Sequence, residues 1–122
     1  MIRSVLIVDD SRLARMMVAG LILDRWPNAR IREAENADQA LVAVAHETPD
    51  LVILDHSMPG ESGLDVVAKL RASAPEADVA LVTANIQSSI RQRASDAGCH
   101  FVAKPVTAEK IDKLLADIGI AP

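Results

Sequence analysis

At 122 residues, half of them hydrophobic and a quarter charged, the chain has room for one self-sufficient core and a composition far from that of disordered or membrane-embedded proteins. A net charge of −4, with one Trp, one Phe and no Tyr, argues against a surface that tracks a polyanion or stacks bases, so no direct nucleic-acid partner is expected. The single cysteine, Cys99, cannot bridge within the chain and fits a reducing, cytoplasmic setting, and no apolar run approaches the roughly 20 residues that span a bilayer, so no membrane association is expected either.

The N-terminal run "SVLIVD" is nearly continuous in aliphatics and ends in the acid pair Asp9–Asp10. Unbroken aliphatic runs of this length are the mark of strands covered on both faces. Its apolar stretch is too short for a secretory signal. Ser11 then caps a first helix, whose apolar positions Leu13, Met16, Met17, Leu21 and Ile22 fall near helical spacing and are expected to face the core. "RWPN" stops it at Pro27, leaving Trp26 at the pole opposite the acids.

"ARIREA" alternates rather than running apolar throughout, which puts it at or near a sheet edge. A helix over Asn36 to His46 follows, and "DLVILD" supplies a third strand that drives Asp55 to its very end. A third helix spans Ser62 to Arg71, with Gly60 and Gly63 around its start. "DVALVT" is a fourth strand ending in Thr83, and a helix over Ile86 to Ala97 closes at Gly98. "CHFVAK" ends in Lys104. A last helix begins at Thr107, turns Ile111, Leu114, Leu115 and Ile118 inward, and finishes near Gly119.

Five strands alternating with five helices across short turns imply an α/β fold: a doubly wound, parallel five-stranded sheet with helices on both faces. There is no internal repeat and no linker, so residues 1–122 are expected to form one domain with no output module attached. In such a sheet the carboxyl ends of all strands share one edge, where ligands bind. Asp9, Asp10, Asp55, Thr83 and Lys104 are therefore expected to meet there although they span nearly the whole chain.

That grouping makes chemical sense. Clustered carboxylates repel one another, and a hard divalent cation with oxygen ligands relieves the repulsion. An ammonium and a hydroxyl beside it complete a pocket for a tetrahedral dianion. A carboxylate can itself be the nucleophile in phosphoryl transfer, and Asp55 is the candidate.

The motifs "VDD", "LDHSMPG", "VTA" and "AKP", in this order, resemble those of response-regulator receiver domains of two-component signalling, of the chemotaxis-regulator type, along the whole chain. The resemblance implies the flavodoxin-like strand order 2-1-3-4-5. It implies that Asp55 accepts a phosphoryl group in a Mg²⁺-dependent reaction, with Mn²⁺ as a substitute. Asp10 would bind the metal directly and Asp9 mainly through water, with Asp55 and the Ser57 backbone carbonyl as further ligands. Thr83, the neighbouring Ala84 and Lys104 would hold the phosphoryl oxygens, and the bond before Pro105 would be cis. Phe101, three residues before the lysine, would follow Thr83 inward on activation. Ser57 and Asn85 occupy the positions that tune how long the mark lasts; neither is a carboxylate, which implies slow self-dephosphorylation.

By the same resemblance the donor is a histidine kinase or histidine phosphotransfer protein. A downstream protein docks on the fourth helix, fifth strand and fifth helix, and the chain is a monomer or weak dimer that catalyses nothing beyond its own phosphorylation and dephosphorylation. The alternatives are a receiver cut from a longer regulator and an aspartyl-phosphate phosphatase. The latter usually needs a second acid two residues beyond the nucleophile, where this chain has Ser57. A flavin carrier would want a hydroxyl- and Gly-rich loop where "DDSRLAR" stands. His46, His56 and His100 lack metal-ligand spacing and read as surface or turn residues, with contact at the pocket rim as the lesser alternative for His56, and the Met16–Met17 pair reads as core filler.

Overall fold

The computed structural model describes residues 3–58 and 62–118. Gly60, expected around the start of the third helix, and Gly119, expected near the end of the fifth, lie outside them. The chain alternates β1 (Ser4–Val8), α1 (Arg12–Arg25), β2 (Arg30–Ala34), α2 (Ala37–His46), β3 (Leu51–Asp55), α3 (Gly63–Ser73), β4 (Asp78–Thr83), α4 (Ser88–Asp96), β5 (His100–Ala103) and α5 (Ala108–Asp117). All neighbouring strands are parallel, in the order β2-β1-β3-β4-β5. The weakly apolar strand β2 takes an edge, and the most aliphatic strands, β1, β3 and β4, fill the centre. This is the flavodoxin-like order.

Strand alternation sorts the core into two layers. Leu6, Val8, Val52, Leu54, Val79 and Leu81 point to one face, which α2, α3 and α4 cover with Ala40, Val44, Val67, Leu70 and Ala94. Val5, Ile7, Leu51, Ile53, Val82 and Val102 point to the other, under Val18 and Ile22 of α1 and Ile111, Leu114 and Leu115 of α5. The same parity fixes the polar ends of the strands. Asp9 and Asp55 continue the α1/α5 face, whereas Thr83 continues the α2–α4 face.

Helix starts follow the capping residues. The side chains of Ser11, Asn36, Ser62 and Thr107 accept from the backbone N–H groups of Ala14, Gln39, Asp65 and Lys110, each such cap contributing about 1 kcal/mol. Helix α4 has no side-chain cap and begins at Ser88, two residues later than the sequence suggests, leaving Ile86 exposed. The cause is a polar chain of turns: Asn85 N–H donates to Thr83 Oγ1, and Gln87 N–H donates to Asn85 Oδ1, holding this stretch out of the helix. At the far end, Gly98 adopts φ +74°, the left-handed conformation that ends helices at low steric cost.

Helix α1 corrects the sequence reading most. Leu13, Met16 and Met17 are 67%, 58% and 62% exposed, and the buried side chains are instead Arg15, Val18 and Ile22. Arg15 takes an inward position because its guanidinium has partners there: Nη1 donates to the Asp9 carbonyl (2.6 Å) and Nε to Glu33 Oε1 (2.9 Å). Seating Arg15 inward rotates the methionines outward. Trp26 caps the C-terminus of α1 and is buried in the α1/α5 layer, away from the carboxyl ends of the strands. Cys99 is buried, with its thiol donating to the Ala94 carbonyl, and burial pushes its pKa up.

Candidate functional site

Where β1, β3 and β5 end, Asp9, Asp10 and Asp55 each bring an oxygen within 4.8 Å of the other two. Asp9 and Asp55 are buried and Asp10 is exposed. Lys104 Nζ lies 2.8 Å from Asp55 Oδ1. The approach pairs the charges without the alignment of a hydrogen bond, so among the described residues Asp55 Oδ1 is a buried acceptor with no directed donor.

The acids are held by backbone. Asp9 Oδ1 accepts from the N–H of Ser11, the N-cap of α1, at 2.9 Å, and Asp9 N–H donates to the Ala34 carbonyl of β2. Burial raises the Asp9 pKa above the usual carboxylate value. The Ser11 N–H opposes that shift, the Asp55 charge adds to it, Lys104 opposes it, and Asp10 adds to it. A group of acids so placed, with one buried oxygen lacking a directed donor among the described residues, matches the needs of a hard, oxygen-seeking cation.

Asp55 ends β3 in register with Val82 of β4, and one residue further the same register sets His56 opposite Thr83. His56 Nδ1 lies 3.0 Å from Thr83 Oγ1, a contact that the surface-or-turn reading of this histidine missed. The register of two parallel strands is the signal that could have found it. Gly63 explains why the loop fits so closely: a Cβ there would lie 2.8 Å from His56 Cα and 2.9 Å from Leu81 Cδ1. His56 is further fixed by its N–H to the Val82 carbonyl and by Gly63 N–H to its own carbonyl.

The remaining candidates fall around this centre. Thr83 is buried, while Ala84, Asn85 and Ser57 are exposed at the rim. Lys104 N–H donates to the Thr83 carbonyl, tying β5 to β4 at the site, and the Lys104–Pro105 bond is cis. Phe101 sits half-buried on β5 with the Arg91 guanidinium of α4 over its ring, 4.5 Å from the centroid. Beside the acids opens a mainly apolar groove of about 460 Å³, walled by Ala14, Met17, Val18 and Leu21 of α1 and by Pro105 and Val106 after β5.

A parallel sheet with acids, a lysine and a threonine at its carboxyl edge defines a class, and the comparisons put the chain in it. The Response regulator receiver domain family matches residues 5–116, and the chain belongs to that family, the receivers of two-component signalling. Chemotaxis protein CheY of Bacillus subtilis is 30% identical over 112 residues, covering 91% of this chain and 92% of that protein. Transcriptional activator protein ExaE of Pseudomonas putida is 32% identical over 117 residues, covering 92% of this chain and 55% of the relative. The chain spans about half the length of ExaE and of Sensory transduction protein LytT of Bacillus subtilis.

Among solved structures, Vibrio cholerae chemotaxis protein CheY4 shares the fold at a TM-score of 0.86 and 24% identity, over 97% of this chain and 99% of that one. A response regulator from Burkholderia pseudomallei, solved with a phosphorylated aspartic acid, a calcium ion and citrate, matches at a TM-score of 0.82 and 25% identity, over 93% of this chain and 65% of that one. Among the described residues, no helix is long and apolar enough to cross a membrane.

Proposed function

We propose that residues 1–122 act as one receiver unit, taking a phosphoryl group onto Asp55 from a histidine kinase or histidine phosphotransfer protein. The observation that carries this reading is the buried Asp55 carboxylate, with Lys104 Nζ at 2.8 Å and two further acids whose oxygens lie within 4.8 Å. A carboxylate oxygen of Asp55 attacks phosphorus while the nitrogen–phosphorus bond of the donor phosphohistidine breaks. The imidazole nitrogen keeps the electron pair. Lys104 meets the charge gathering on the phosphoryl oxygens, and the Thr83 hydroxyl donates to one of them. Positioning and electrostatics suffice, because phosphoryl transfer asks little covalent work of the protein.

Asp10 and Asp55, the Ser57 carbonyl and, through water, Asp9 would hold Mg²⁺ or its substitute Mn²⁺, which supplies charge neutralisation at the phosphoryl oxygens. The phosphorylated aspartate and calcium of the Burkholderia pseudomallei regulator support that assignment. Support for the donor comes from α1, where exposed Leu13, Met16 and Met17 give a phosphohistidine-bearing helix an apolar surface to rest on beside the acids.

The new charge and acceptor oxygens bias Thr83, the α4 approach and the Phe101–Arg91 pair toward a second arrangement. The face formed by α4, β5 and α5 changes with them and is read by a downstream protein. The chain acts on no substrate but itself, and Ser57 and Asn85, neither of them able to activate water as a carboxylate would, make the mark long-lived. Reaction with acetyl phosphate and Mg²⁺, reduction of the acyl phosphate by borohydride and peptide mapping test the acceptor. Homoserine at position 55 is the expected product, and homoserine at position 9 or 10, or none at all, refutes the assignment.

A further inference from the structure

Thr83 Oγ1 is almost wholly buried, and among the described residues it has two partners: Asn85 N–H at 2.9 Å and His56 Nδ1 at 3.0 Å. A hydroxyl has one proton and two lone pairs. The Asn85 N–H occupies a lone pair. Were His56 Nδ1 also a donor, the Thr83 proton would be buried with no acceptor, an arrangement folded proteins avoid. The satisfied arrangement has Thr83 O–H donating to an unprotonated Nδ1, with the His56 proton on Nε2.

We infer that His56 is a positioning residue that competes with the phosphoryl group for the single hydroxyl proton of Thr83, holding the receiver in its resting arrangement. The inference rests on the phosphoryl-binding role of Thr83 proposed above. One hydroxyl cannot donate to Nδ1 and to a phosphoryl oxygen at once, so activation has to break the His56 contact. The His56 backbone is not free to follow the hydroxyl. It is bonded to β4 on one side and to the start of α3 on the other, and Gly63 packs directly on the His56 Cα. The latch is therefore an acceptor on a fixed backbone against which a mobile hydroxyl is exchanged. Losing it raises the resting state and favours the phosphorylated one.

The test measures binding of beryllofluoride with Mg²⁺, a phosphoryl mimic that needs no donor protein. His56→Phe keeps an aromatic ring and removes the acceptor, while His56→Asn returns an acceptor oxygen close to the Nδ1 position. One neutral hydrogen bond corresponds to about a three- to tenfold change in an equilibrium constant. His56→Phe is expected to lower the beryllofluoride midpoint by that factor, and His56→Asn to restore it to within about twofold of the parent. In a Thr83→Val background the His56→Phe effect should vanish, because the proton competed for is gone. Nitrogen NMR of the unliganded parent at neutral pH should show Nδ1 unprotonated and Nε2 protonated; it also serves if the Phe variant fails to fold. An unchanged or raised midpoint, an effect persisting without the Thr83 hydroxyl, or a protonated Nδ1 overturns the latch. Absence of any beryllofluoride binding by the parent would instead sink the receiver reading of the site.

Discussion

Asp9→Asn isolates the electrostatic strain that the acid cluster builds into the protein. The amide keeps an oxygen to accept from Ser11 N–H, so the loop geometry survives and only the charge is lost. At the 4.8 Å limit and an effective dielectric of about 20, one carboxylate pair costs about 3.5 kcal/mol before screening. The Asp10 side of the cluster is exposed and well screened, and removing Asp9 also forfeits attraction to Lys104. The net gain on substitution is about 1–2 kcal/mol at neutral pH, or about 4–8 °C in Tm for a chain of this size.

The pH dependence has a definite sign. Burial, with the neighbouring acids, raises the Asp9 pKa in the folded state, so the folded protein holds that proton more tightly than the unfolded chain does. The stability it contributes is complete below the unfolded value of about 3.9 and is lost as pH rises through the folded value. The advantage of Asp9→Asn is thus full at neutral pH and fades on acidification. Thermal unfolding by circular dichroism in EDTA at low ionic strength, repeated with excess Mg²⁺, reads both effects. The variant should melt higher in EDTA, and Mg²⁺ should raise the parent more than the variant. A variant less stable than the parent in EDTA at neutral pH would show that the cluster is not under repulsive strain.

Gly63→Ala forces a Cβ to 2.8 Å from His56 Cα and should cost about 1–3 kcal/mol in urea unfolding, since backbone cannot step aside; an unchanged midpoint would contradict the packing described for this loop. Arg15→Met leaves the Asp9 carbonyl without its donor and should destabilise by about 1–3 kcal/mol in the same assay, even though Met fits the volume; a neutral result would mean that the buried guanidinium contributes nothing. Trp26 is buried at the far end of α1, so its fluorescence should follow unfolding closely and respond little to Mg²⁺; a large quench on adding the metal would speak against the site lying at the carboxyl edge.

The site's skeleton was legible because strands carry their own geometry. Once "SVLIVD", "DLVILD", "DVALVT" and "CHFVAK" are parallel strands, their polar terminal residues share an edge whatever the helices do. Ser11, Asn36 and Thr107 marked helix starts because a capping side chain acts locally. Helix rotation is not local. Nothing in the apolar count of α1 reveals that a buried Arg15, bonded to Asp9 and Glu33, would turn Met16 and Met17 to solvent. The late start of α4 depends on an Asn85–Thr83 turn that exists only after β4 is in place. His56 escaped because a lone histidine after a strand carries no spacing signal; only the β3–β4 register pairs it with Thr83.

The central claim is that Asp55 accepts a phosphoryl group in a reaction that needs a divalent cation. Intact-mass analysis after incubation with acetyl phosphate tests it most directly. With Mg²⁺ the parent should gain the mass of one phosphoryl group, and it should gain none in EDTA or when Asp55→Asn is used. Equal labelling of Asp55→Asn and parent, or labelling of the parent that ignores the metal, would contradict the account.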